Sequence, residues 1–273
     1  MFLKRYHHLI GTSSYWDDVV RRVSEHPYLD PAFARQRKAM HLALLAAWAP
    51  DLQGKVALKT DLFEEATGDD QFFFDLSNRS AHGVGMDFSS EVARRAGKRA
   101  SKAGVSKFSS VAADIRRLPF KSRTMDIIVS NSTLDHFATK REIIDSIVET
   151  ARILKPGGQF IVTLDNPWNP MYAVLKVLST LRITPYYLGK SLTRKQLMTA
   201  LTDSGFVVEE IQALSHHPRI IMLAYTRIAR NMLGMKADRH LDTVLALFDK
   251  LKNTRIRYAT AAFIAIKARR IGT

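Results

Sequence analysis

The stretch of sequence that decides the fold is MDIIVSNSTLDHF at residues 125–137, followed by ARILKPGGQFIVTLD at residues 151–165. Each contains a run of apolar, mostly β-branched residues that stops at a polar residue, Asn131 in the first and Asp165 in the second. Such runs are typical of buried strands, and KREIIDSIVETARIL between them is an amphipathic helix. Open parallel sheets bind ligands at the carboxyl ends of their strands, so the sequence predicts a ligand site at these polar residues.

The same alternation of strand and helix extends outward in both directions. Further strands are predicted at Val56 to Leu58, at Gly83–Asp87, in SSVAAD ending at Asp114, in GFVVEEIQAL (205–214) and in TAAFIAIKAR (260–269). Exposed or amphipathic helices are predicted between them, including EVARRAGKRASKAG (91–104) and residues 190–204. Strand–helix alternation followed by a late strand pair indicates an α/β fold, a three-layer sandwich.

Composition excludes several classes of protein. The chain has 273 residues, 46% of them apolar, and no cysteine. A disulfide framework, thiolate catalysis and cysteine-ligated metal sites are therefore excluded. The beginning, MFLKRYHHLIGTSSYW, lacks the apolar region of a signal peptide, and no apolar run is long enough to span a bilayer. We expect a cytoplasmic protein, with peripheral attachment to a membrane left open.

The formal net charge of +15 is concentrated in the last 56 residues, where Lys and Arg number 12 against 3 Asp and Glu. Such an excess attracts nucleic acid, anionic lipid or a phosphorylated substrate, and it is also compatible with a solvated face that only aids solubility. Helices predicted at 219–233 and 239–253 carry apolar residues on one side and Arg or Lys on the other, as helices resting on a membrane surface do. No motif favours RNA binding.

The domain organisation follows from these elements. Residues 1–53 are predicted to form an N-terminal helical cap, broken at His26-Pro27. Residues 54–273 are predicted to form one domain with two helical insertions: a lid at 166–192 and a basic helical insertion at 218–255.

Taken in order, Asp87, Asp114, DIIVSNSTLDHF and ARILKPGGQFIVTL resemble the class I, Rossmann-like S-adenosylmethionine-dependent methyltransferases. The resemblance covers roughly residues 54–214 and a closing strand near 260–269. LKPGG is its most specific piece, since Pro and Gly stop a helix and turn the chain into the next strand. The resemblance implies a seven-stranded, mostly parallel sheet with an antiparallel last strand. It also implies an enzyme with S-adenosylmethionine as cofactor.

The resemblance implies roles for the residues at the strand ends. Asp87 would accept the two ribose hydroxyls, with Phe88 beside it, and Asp114 would accept from the adenine amino group while Ile115 packs on the ring. Asn131 and Ser132 would face the methionine moiety and the acceptor. The alternative is that Asp87 and Asp114 only cap the helices that follow them.

The chain departs from the family pattern in the turn after the first strand. Class I enzymes normally have a glycine-rich loop there, whereas this chain has LKTDLFEEATG, with no glycine before Gly68. The side chains of this turn should restrict close approach of a ligand to the backbone. They could instead bind the cofactor themselves: Asp61, Glu64 or Glu65 its cations, and Lys59 or Thr60 its carboxylate. The turn is also compatible with a helix start in which Asp61 is the N-cap and Glu64 completes a capping box.

The turn after the fourth strand supplies candidates for catalysis. His136 is the candidate base, and Asp135 could orient it. Alternatively, Asp135 caps the next helix and His136 packs at the pocket rim. No Asn-Pro-Pro-Tyr tetrapeptide follows this strand, which argues against the amino-methylating enzymes of nucleic acids. An RNA methyltransferase and a non-catalytic binding module on the same fold remain the alternatives.

Acceptor binding is assigned to the insertion after the fifth strand and to SHHPR after the sixth. The insertion is either a lid over an apolar acceptor or ordinary packing, and its candidate residues are Trp168, Tyr172, Tyr186 and Tyr187. His216, His217 and Arg219 could receive an anionic group. No third ligand accompanies the two histidines, so no metal is expected. The expected acceptor is a small molecule, either hydrophobic or anionic, with lipid-linked, saccharide and natural-product compounds all fitting.

Overall fold

The computed structural model describes residues 11–25, 29–68 and 71–272. Its sheet has seven strands: β1 (Val56–Lys59), β2 (His82–Asp87), β3 (Phe108–Ala112), β4 (Met125–Asn131), β5 (Leu154–Asp165), β6 (Phe206–Leu214) and β7 (Phe263–Arg270). The strand order is β3-β2-β1-β4-β5-β7-β6. The pairs among β1 to β5 are parallel, and β7 is antiparallel to both β5 and β6. The predicted α/β sheet with an antiparallel last strand is confirmed.

The helices are α1 (Ser13–Glu25), α2 (Pro31–Trp48), α3 (Phe63–Thr67), α4 (Phe73–Arg79), α5 (Ser90–Lys102), α6 (Lys140–Ile153), α7 (Pro170–Thr180), α8 (Arg194–Asp203), α9 (Arg219–Leu233), α10 (Ala237–Asp249) and α11 (Arg257–Thr260). Short 3-10 turns lie at Leu134–His136, Gly234–Lys236 and Lys250–Asn253. The predicted break at His26-Pro27 lies outside the described residues. Among the helices that the structure describes, none is both long and apolar enough to cross a membrane.

Two apolar layers cover the two faces of the sheet. On one face, Ile143 and Ile147 of α6 and Leu201 of α8 pack with Phe160 and Ile266 of the sheet. On the other face, Leu44, Leu45 and Trp48 of α2 join Ala57, Ile127 and Ile161. Because both faces of the sheet are covered, its strands are apolar along most of their length, which is why they were visible in the sequence.

Local sequence accounts for most helix starts. Helix α2 begins at Pro31, and its N-cap Asp30 accepts a hydrogen bond from the backbone N–H of Ala32 at 2.9 Å. Thr139 and Glu142 form a capping box at the start of α6. A second capping box at Thr193 starts α8 at Arg194 rather than at residue 190 as predicted.

Two further details differ from the sequence expectation. Strand β5 begins at Leu154, ahead of Gly157 and Gly158, because Leu154 already pairs with Met125 of β4. The register between the two strands then shifts, and Gly157 has a φ of +78°. Helix α4 was not predicted at all. Its first amide, that of Phe73, donates to Oε1 of Glu65 at 3.1 Å, so a side chain distant from the helix start takes the place of a local cap.

Candidate active site

A cavity of about 440 Å³ opens at the carboxyl ends of β1, β2, β4 and β5. These strands meet where the chain order reverses around β1, which is the position at which open α/β sheets bind ligands. Its walls include most of the residues predicted for the site: Thr60, Asp61, Glu64, Asp87, Phe88, Asp114, Ile115, Asn131, Ser132, Asp135, His136, Tyr186, Tyr187, His217 and Arg219.

The turn after β1 is organised around Lys59, whose side chain is fully buried. Its Nζ lies 2.8 Å from Glu64, 2.7 Å from Glu65 and 3.3 Å from Asp61. Lys59 therefore does not line the cavity, and its predicted contact with a cofactor carboxylate is not available. Three carboxyl groups thus share one lysine, and the Arg37 guanidinium, 3.0 Å from Glu64, adds a second cation to this cluster.

Ionisation within this cluster is unequal. Burial opposes the charge on Lys59, but the three carboxylates hold its pKa well above the usual value. Burial also opposes the charge on Glu64, yet Lys59 and Arg37 hold the pKa of Glu64 below its ordinary value. Burial and the neighbouring Glu64 raise the pKa of Asp61 well above its ordinary value. Asp61 is thus the carboxyl in this cluster that a cationic ligand would affect most.

Leu62 fills the space that a side chain at residue 85 would occupy. A Cβ placed on Gly85 of β2 would lie 2.4 Å from a methyl carbon of Leu62. Asp87 stabilises the turn that contains Leu62, because its Oδ2 accepts a hydrogen bond from the backbone N–H of Leu62 at 2.9 Å. The other carboxyl oxygen of Asp87, Oδ1, accepts from the backbone N–H of Ser89 at 2.8 Å. Burial raises the pKa of Asp87 to about 6.

The capping alternatives for these acids do not hold. The N-cap position of α3 is Leu62, without a side-chain hydrogen bond, and Asp61 instead accepts from Nζ of Lys59 and the hydroxyl of Thr133. The N-cap of α5 is Ser89, and Asp87 lies ahead of it. Asp114 precedes no helix; its carboxylate binds the Arg116 guanidinium at 2.7 Å. These acids are therefore held by contacts other than helix capping, several of them with residues two positions away in the sequence.

Arg116 is a wall residue that sequence reasoning missed. Its guanidinium bridges Asp114 and Glu142 and lies over the rings of Phe88 and Phe137, at 5.9 and 5.2 Å. Burial opposes ionisation of Asp114, but Arg116 holds the pKa of that carboxyl below its usual range. Asp114 is therefore an ionised acceptor at neutral pH.

The residue that follows strand β4 has a strained backbone and lines the cavity. Ser132 has φ +51, a left-handed conformation that is unusual for serine, and its backbone N–H donates to the carbonyl of Thr163 at 3.1 Å. The Ser132 hydroxyl is buried and has no hydrogen-bond partner among the described residues. Next to it, Asn131 accepts from the hydroxyl of Thr163 at 2.9 Å. Strain of this kind is found at ligand sites, where the surrounding structure enforces it.

His136 contacts the insertion after β5 and helix α1. Its Nδ1 lies 3.0 Å from the carbonyl oxygen of Tyr187, and its ring packs edge-on against Trp16 at 4.9 Å and Tyr186 at 5.4 Å. A carbonyl oxygen only accepts, so Nδ1 carries the proton and Nε2 keeps a lone pair. This geometry leaves Nε2 as the basic atom of the ring.

Asp135 does not orient His136 as predicted. Its Oδ2 accepts from the backbone N–H of Asp165 at 2.7 Å, whereas its Oδ1 is buried and has no partner within the described part of the chain. Burial and the nearby Asp165 raise the pKa of Asp135 to about 6. Asp135 also does not cap the next helix, since Thr139 does so.

The insertion after β5, residues 166–192, contributes to the wall through Leu175 and through residues 184–188. The hydroxyl of Tyr15 accepts from the backbone N–H of Tyr187 at 2.6 Å, and Gly189 donates to the carbonyl of Asp135 at 2.9 Å. By contrast, Trp168 is 71% exposed, and neither it nor Tyr172 lines the cavity. From α7 it is Leu175 that reaches the wall, so the acceptor contacts predicted for Trp168 and Tyr172 find no support in the cavity lining and stay predictions.

The SHHPR segment gives the cavity one positive and one neutral group. Arg219 pairs with Asp165 at 2.8 Å and lies over the Phe263 ring. Burial lowers the pKa of His217 to about 4, so His217 is neutral at pH 7 and stacks on Phe33. His216 does not line the cavity, since its Nδ1 is directed to the hydroxyl of Thr260 at 2.8 Å. Of the three residues predicted to receive an anionic group, His217 and Arg219 thus line the cavity and His216 does not.

The cavity is acidic although the protein is basic. Seven carboxyl side chains and three arginines line it, the carboxyl groups being Asp61, Glu64, Asp87, Asp114, Asp135, Glu142 and Asp165. Asp165 was visible in the sequence as the end of an apolar strand, whereas Arg37 and His41 reach the wall from α2 and had no local signal. No group of three or more His, Cys, Asp or Glu side chains in the described ranges is placed to hold a metal ion.

Comparison with protein families gives a match to a methyltransferase domain over residues 64–162. Human "Probable tRNA methyltransferase 9B" is 35% identical over 85 residues, which are 31% of this chain and 17% of that protein. Demethylmenaquinone methyltransferase of Protochlamydia amoebophila is 34% identical over 114 residues, 41% of this chain and 46% of that protein. The matched part thus spans less than half the length of these relatives.

Solved structures share the fold over nearly the whole chain. Geranyl diphosphate C-methyltransferase of Streptomyces coelicolor, solved with geranyl diphosphate and S-adenosyl-L-homocysteine, aligns with a TM-score of 0.58 over 94% of this chain and 98% of that one, at 15% identity. The [4+2]-cyclase SpnF aligns with a TM-score of 0.57 over 86% and 82%, at 19% identity. Likeness at this level of identity shows a shared fold.

Proposed function

Since this chain carries a class I S-adenosylmethionine-dependent methyltransferase domain, we propose that it transfers the methyl group of S-adenosylmethionine to a hydrophobic small molecule. The observation that carries the proposal is the acidic cavity at the carboxyl ends of β1, β2 and β4. S-adenosylmethionine has a sulfonium and an ammonium group, and a cavity with an excess of carboxylates favours such a ligand.

The residues present fit the cofactor without a glycine-rich loop. Asp61 and Glu64 face the cavity from the turn after β1, and a cation next to them would favour the ionised form of Asp61, whose pKa is raised in the free protein. Asp87 and Asp114 are the candidates for the ribose and the adenine, and Phe88 and Ile115 for packing on the ring. The unpartnered Ser132 hydroxyl and Asp135 Oδ1 are polar groups that a ligand could satisfy. When bound, the cofactor supplies an electrophilic methyl group.

His136 acts as the base in this proposal. Its Nε2 is left with a lone pair by the contact between Nδ1 and Tyr187, and its ring lines the cavity between Trp16 and Tyr186. A proton removed from the acceptor would go to Nε2. General bases of this kind accelerate a reaction by a factor of about 10² to 10⁴. Holding the acceptor close to the methyl group is the other contribution expected of the cavity walls.

Of the two acceptor classes, the structure favours the hydrophobic one. The wall beyond His136 contains Trp16, Phe33, Phe63, Leu175, Tyr186 and Phe263. An anionic group in the cavity would share it with the carboxyl groups of Asp165 and Asp135. The guanidinium of Arg219 is already paired with Asp165. Of the enzymes to which this chain is similar, one is named for demethylmenaquinone and another for geranyl diphosphate, which joins an apolar chain to an anionic diphosphate.

RNA is a second candidate acceptor because of one specific observation, the match to "Probable tRNA methyltransferase 9B". The basic carboxyl-terminal region is compatible with it. Against it, the cavity is acidic and its mouth is apolar.

The experiment that tests the proposal is calorimetric titration of the protein with S-adenosylmethionine and S-adenosylhomocysteine. We expect saturable binding of both, and we expect Asp87→Ala to weaken it by at least about tenfold, as loss of a charged hydrogen-bonding group does. Asp203→Ala removes an exposed carboxylate at the end of α8 and serves as the control. Absence of binding by the parent protein would select the non-catalytic module.

Transfer is measured next, with methyl-labelled cofactor and two acceptor pools, a lipid extract and total RNA. We expect label in the lipid extract, and we expect His136→Gln to abolish labelling while S-adenosylhomocysteine still binds with unchanged affinity. Label in RNA with a steep salt dependence would instead support the second candidate.

A further inference from the structure

Helices α7 and α9 carry apolar side chains on their solvent-facing sides. On α7 and at its end, Val174, Val177 and Leu181 recur every three or four residues and are 42%, 58% and 63% exposed. On α9, Ile221, Ile228 and Met232 are 59%, 56% and 78% exposed. A surface helix of a globular protein normally turns its polar side to solvent, and the exposed apolar side chains of both helices depart from that rule. Apolar surface grouped in this way marks an interaction site.

This exposed surface, which we call the α7–α9 face, adjoins the cavity. The two helices are in contact with each other. Leu175 of α7 and Leu223 of α9 line the cavity, and Leu223 is also 49% exposed. Leu223 therefore belongs both to this face and to the cavity wall.

Positive charge accompanies the apolar side chains. Arg227 is exposed on α9, and Lys236 and Arg239 are exposed just after it. Unlike Arg230, which pairs with Asp238 at 3.0 Å, none of these three forms an ion pair with the described residues. Apolar side chains combined with unpaired cations are what a helix needs in order to lie in the interface of an anionic bilayer. RNA would be attracted by the charge alone and would leave the apolar side chains in water.

We propose that the α7–α9 face docks on the surface of an anionic lipid bilayer and that the acceptor is a lipophilic molecule taken from that bilayer into the cavity. The second part rests on the proposed function, and the first part does not. The bilayer would cover the apolar side chains, and its anionic headgroups would lie against Arg227, Lys236 and Arg239. In this arrangement the basic surface contacts the anionic headgroups, and the acidic cavity receives a neutral, lipophilic acceptor.

The test is co-sedimentation of the full chain with vesicles of phosphatidylcholine alone and of phosphatidylcholine mixed with phosphatidylglycerol. We expect binding to the mixed vesicles and little binding to phosphatidylcholine. Val177→Glu and Met232→Glu should each weaken binding by at least about tenfold, because burial of one such side chain is lost and a charge of the same sign as the lipid is added. Both sites are exposed, so neither change should unfold the protein.

Val148→Glu is the matched control, because Val148 is 52% exposed but lies on α6. It should bind the mixed vesicles as the parent protein does. The proposal is overturned if the parent stays in the supernatant with both vesicles, or if Val148→Glu loses as much binding as Val177→Glu. It is also overturned if the two face variants abolish self-association or RNA binding instead. Titration with S-adenosylhomocysteine reports on the proposed function separately, since it needs no vesicles.

Discussion

At the scale of single residues, the ionisation of Asp87 makes cofactor binding dependent on pH. Burial raises its pKa to about 6 in the free protein, so below that pH the carboxyl is largely protonated. Accepting two ribose hydroxyls requires the carboxylate, and a cofactor that binds only this form gains affinity as pH rises and protons leave. Affinity should therefore rise with pH up to about 6 and then level off.

Calorimetric titration with S-adenosylhomocysteine between about pH 5 and about pH 7 checks this expectation. Because one proton is lost, the affinity should change by at most about tenfold per pH unit. Asp87→Asn should remove the Asp87 part of the slope. S-adenosylmethionine should show a steeper dependence than S-adenosylhomocysteine, since its sulfonium favours ionised Asp61, whose pKa burial also raises. Equal affinity at both ends of the range would contradict the assignment of Asp87.

At the scale of elements, the segment from β1 to α3 depends on one buried cation. Lys59 lies within 3.3 Å of the three carboxylates of Asp61, Glu64 and Glu65. Lys59→Met would leave these carboxylates without their counterion, and removing one partner of a buried ion pair costs about 3 to 5 kcal/mol. Urea unfolding at neutral pH should show a loss of that size in the free energy of unfolding.

Lys55→Met is the control for that change, because Lys55 lies just before β1 and is 38% exposed. The ion pair of Lys55 with Asp51 is 3.7 Å long and partly exposed, so it should contribute little to stability. The free energy of unfolding should therefore change by less than about 0.5 kcal/mol. Similar losses in the two variants would mean that the carboxylates around residue 59 do not depend on its charge.

The same elements show how far the sequence leads. The strands, the lid helix and the polar residues at the strand ends could be predicted, because buried strands are apolar along their length and end at recognisable polar positions. The burial of Lys59 could not be predicted, since nothing local distinguishes a buried lysine from a solvated one. Helix α4 was missed for a related reason: FFFD looks like a strand, and the group that caps the helix, Glu65, belongs to another element.

Within the cavity, the sequence predicted the strand-end residues better than the acceptor residues. Asp87, Asp114 and Asn131 reach the wall because their strands are parallel and in register. Trp168 and Tyr172 do not, because the direction of a helix after a strand depends on packing that no short motif encodes.

At the scale of the whole molecule, the acidic cavity and the basic surface should respond differently to salt. Raising the salt concentration from about 0.1 M to about 1 M shortens the screening length from about 10 Å to about 3 Å, which weakens exposed charge interactions much more than buried ones. Vesicle binding through Arg227 and its neighbours should therefore fall severalfold. Binding of S-adenosylhomocysteine should change by less than about twofold, because Asp87 and Asn131 are buried.

Sedimentation and calorimetry in the same buffers check this separation. If salt weakens vesicle binding and cofactor binding to the same extent, the charges in the cavity are screened as strongly as those on the surface. The expected difference between cavity and surface would then be wrong. If salt affects neither, contacts other than headgroup attraction hold the protein on the vesicle.

The packing of Leu62 into the space above Gly85 has a consequence for the ancestry of this chain. The two positions share one volume, since a Cβ at residue 85 would lie 2.4 Å from the Leu62 side chain. A mutation that enlarges residue 85 is tolerated only if residue 62 has already become smaller, so the two positions should be inherited as a pair. The match to the methyltransferase domain begins at residue 64, just after this turn. A search for descendants of this chain should therefore follow the pair formed by a leucine in the turn after β1 and a glycine in β2, and not a glycine-rich loop within one turn.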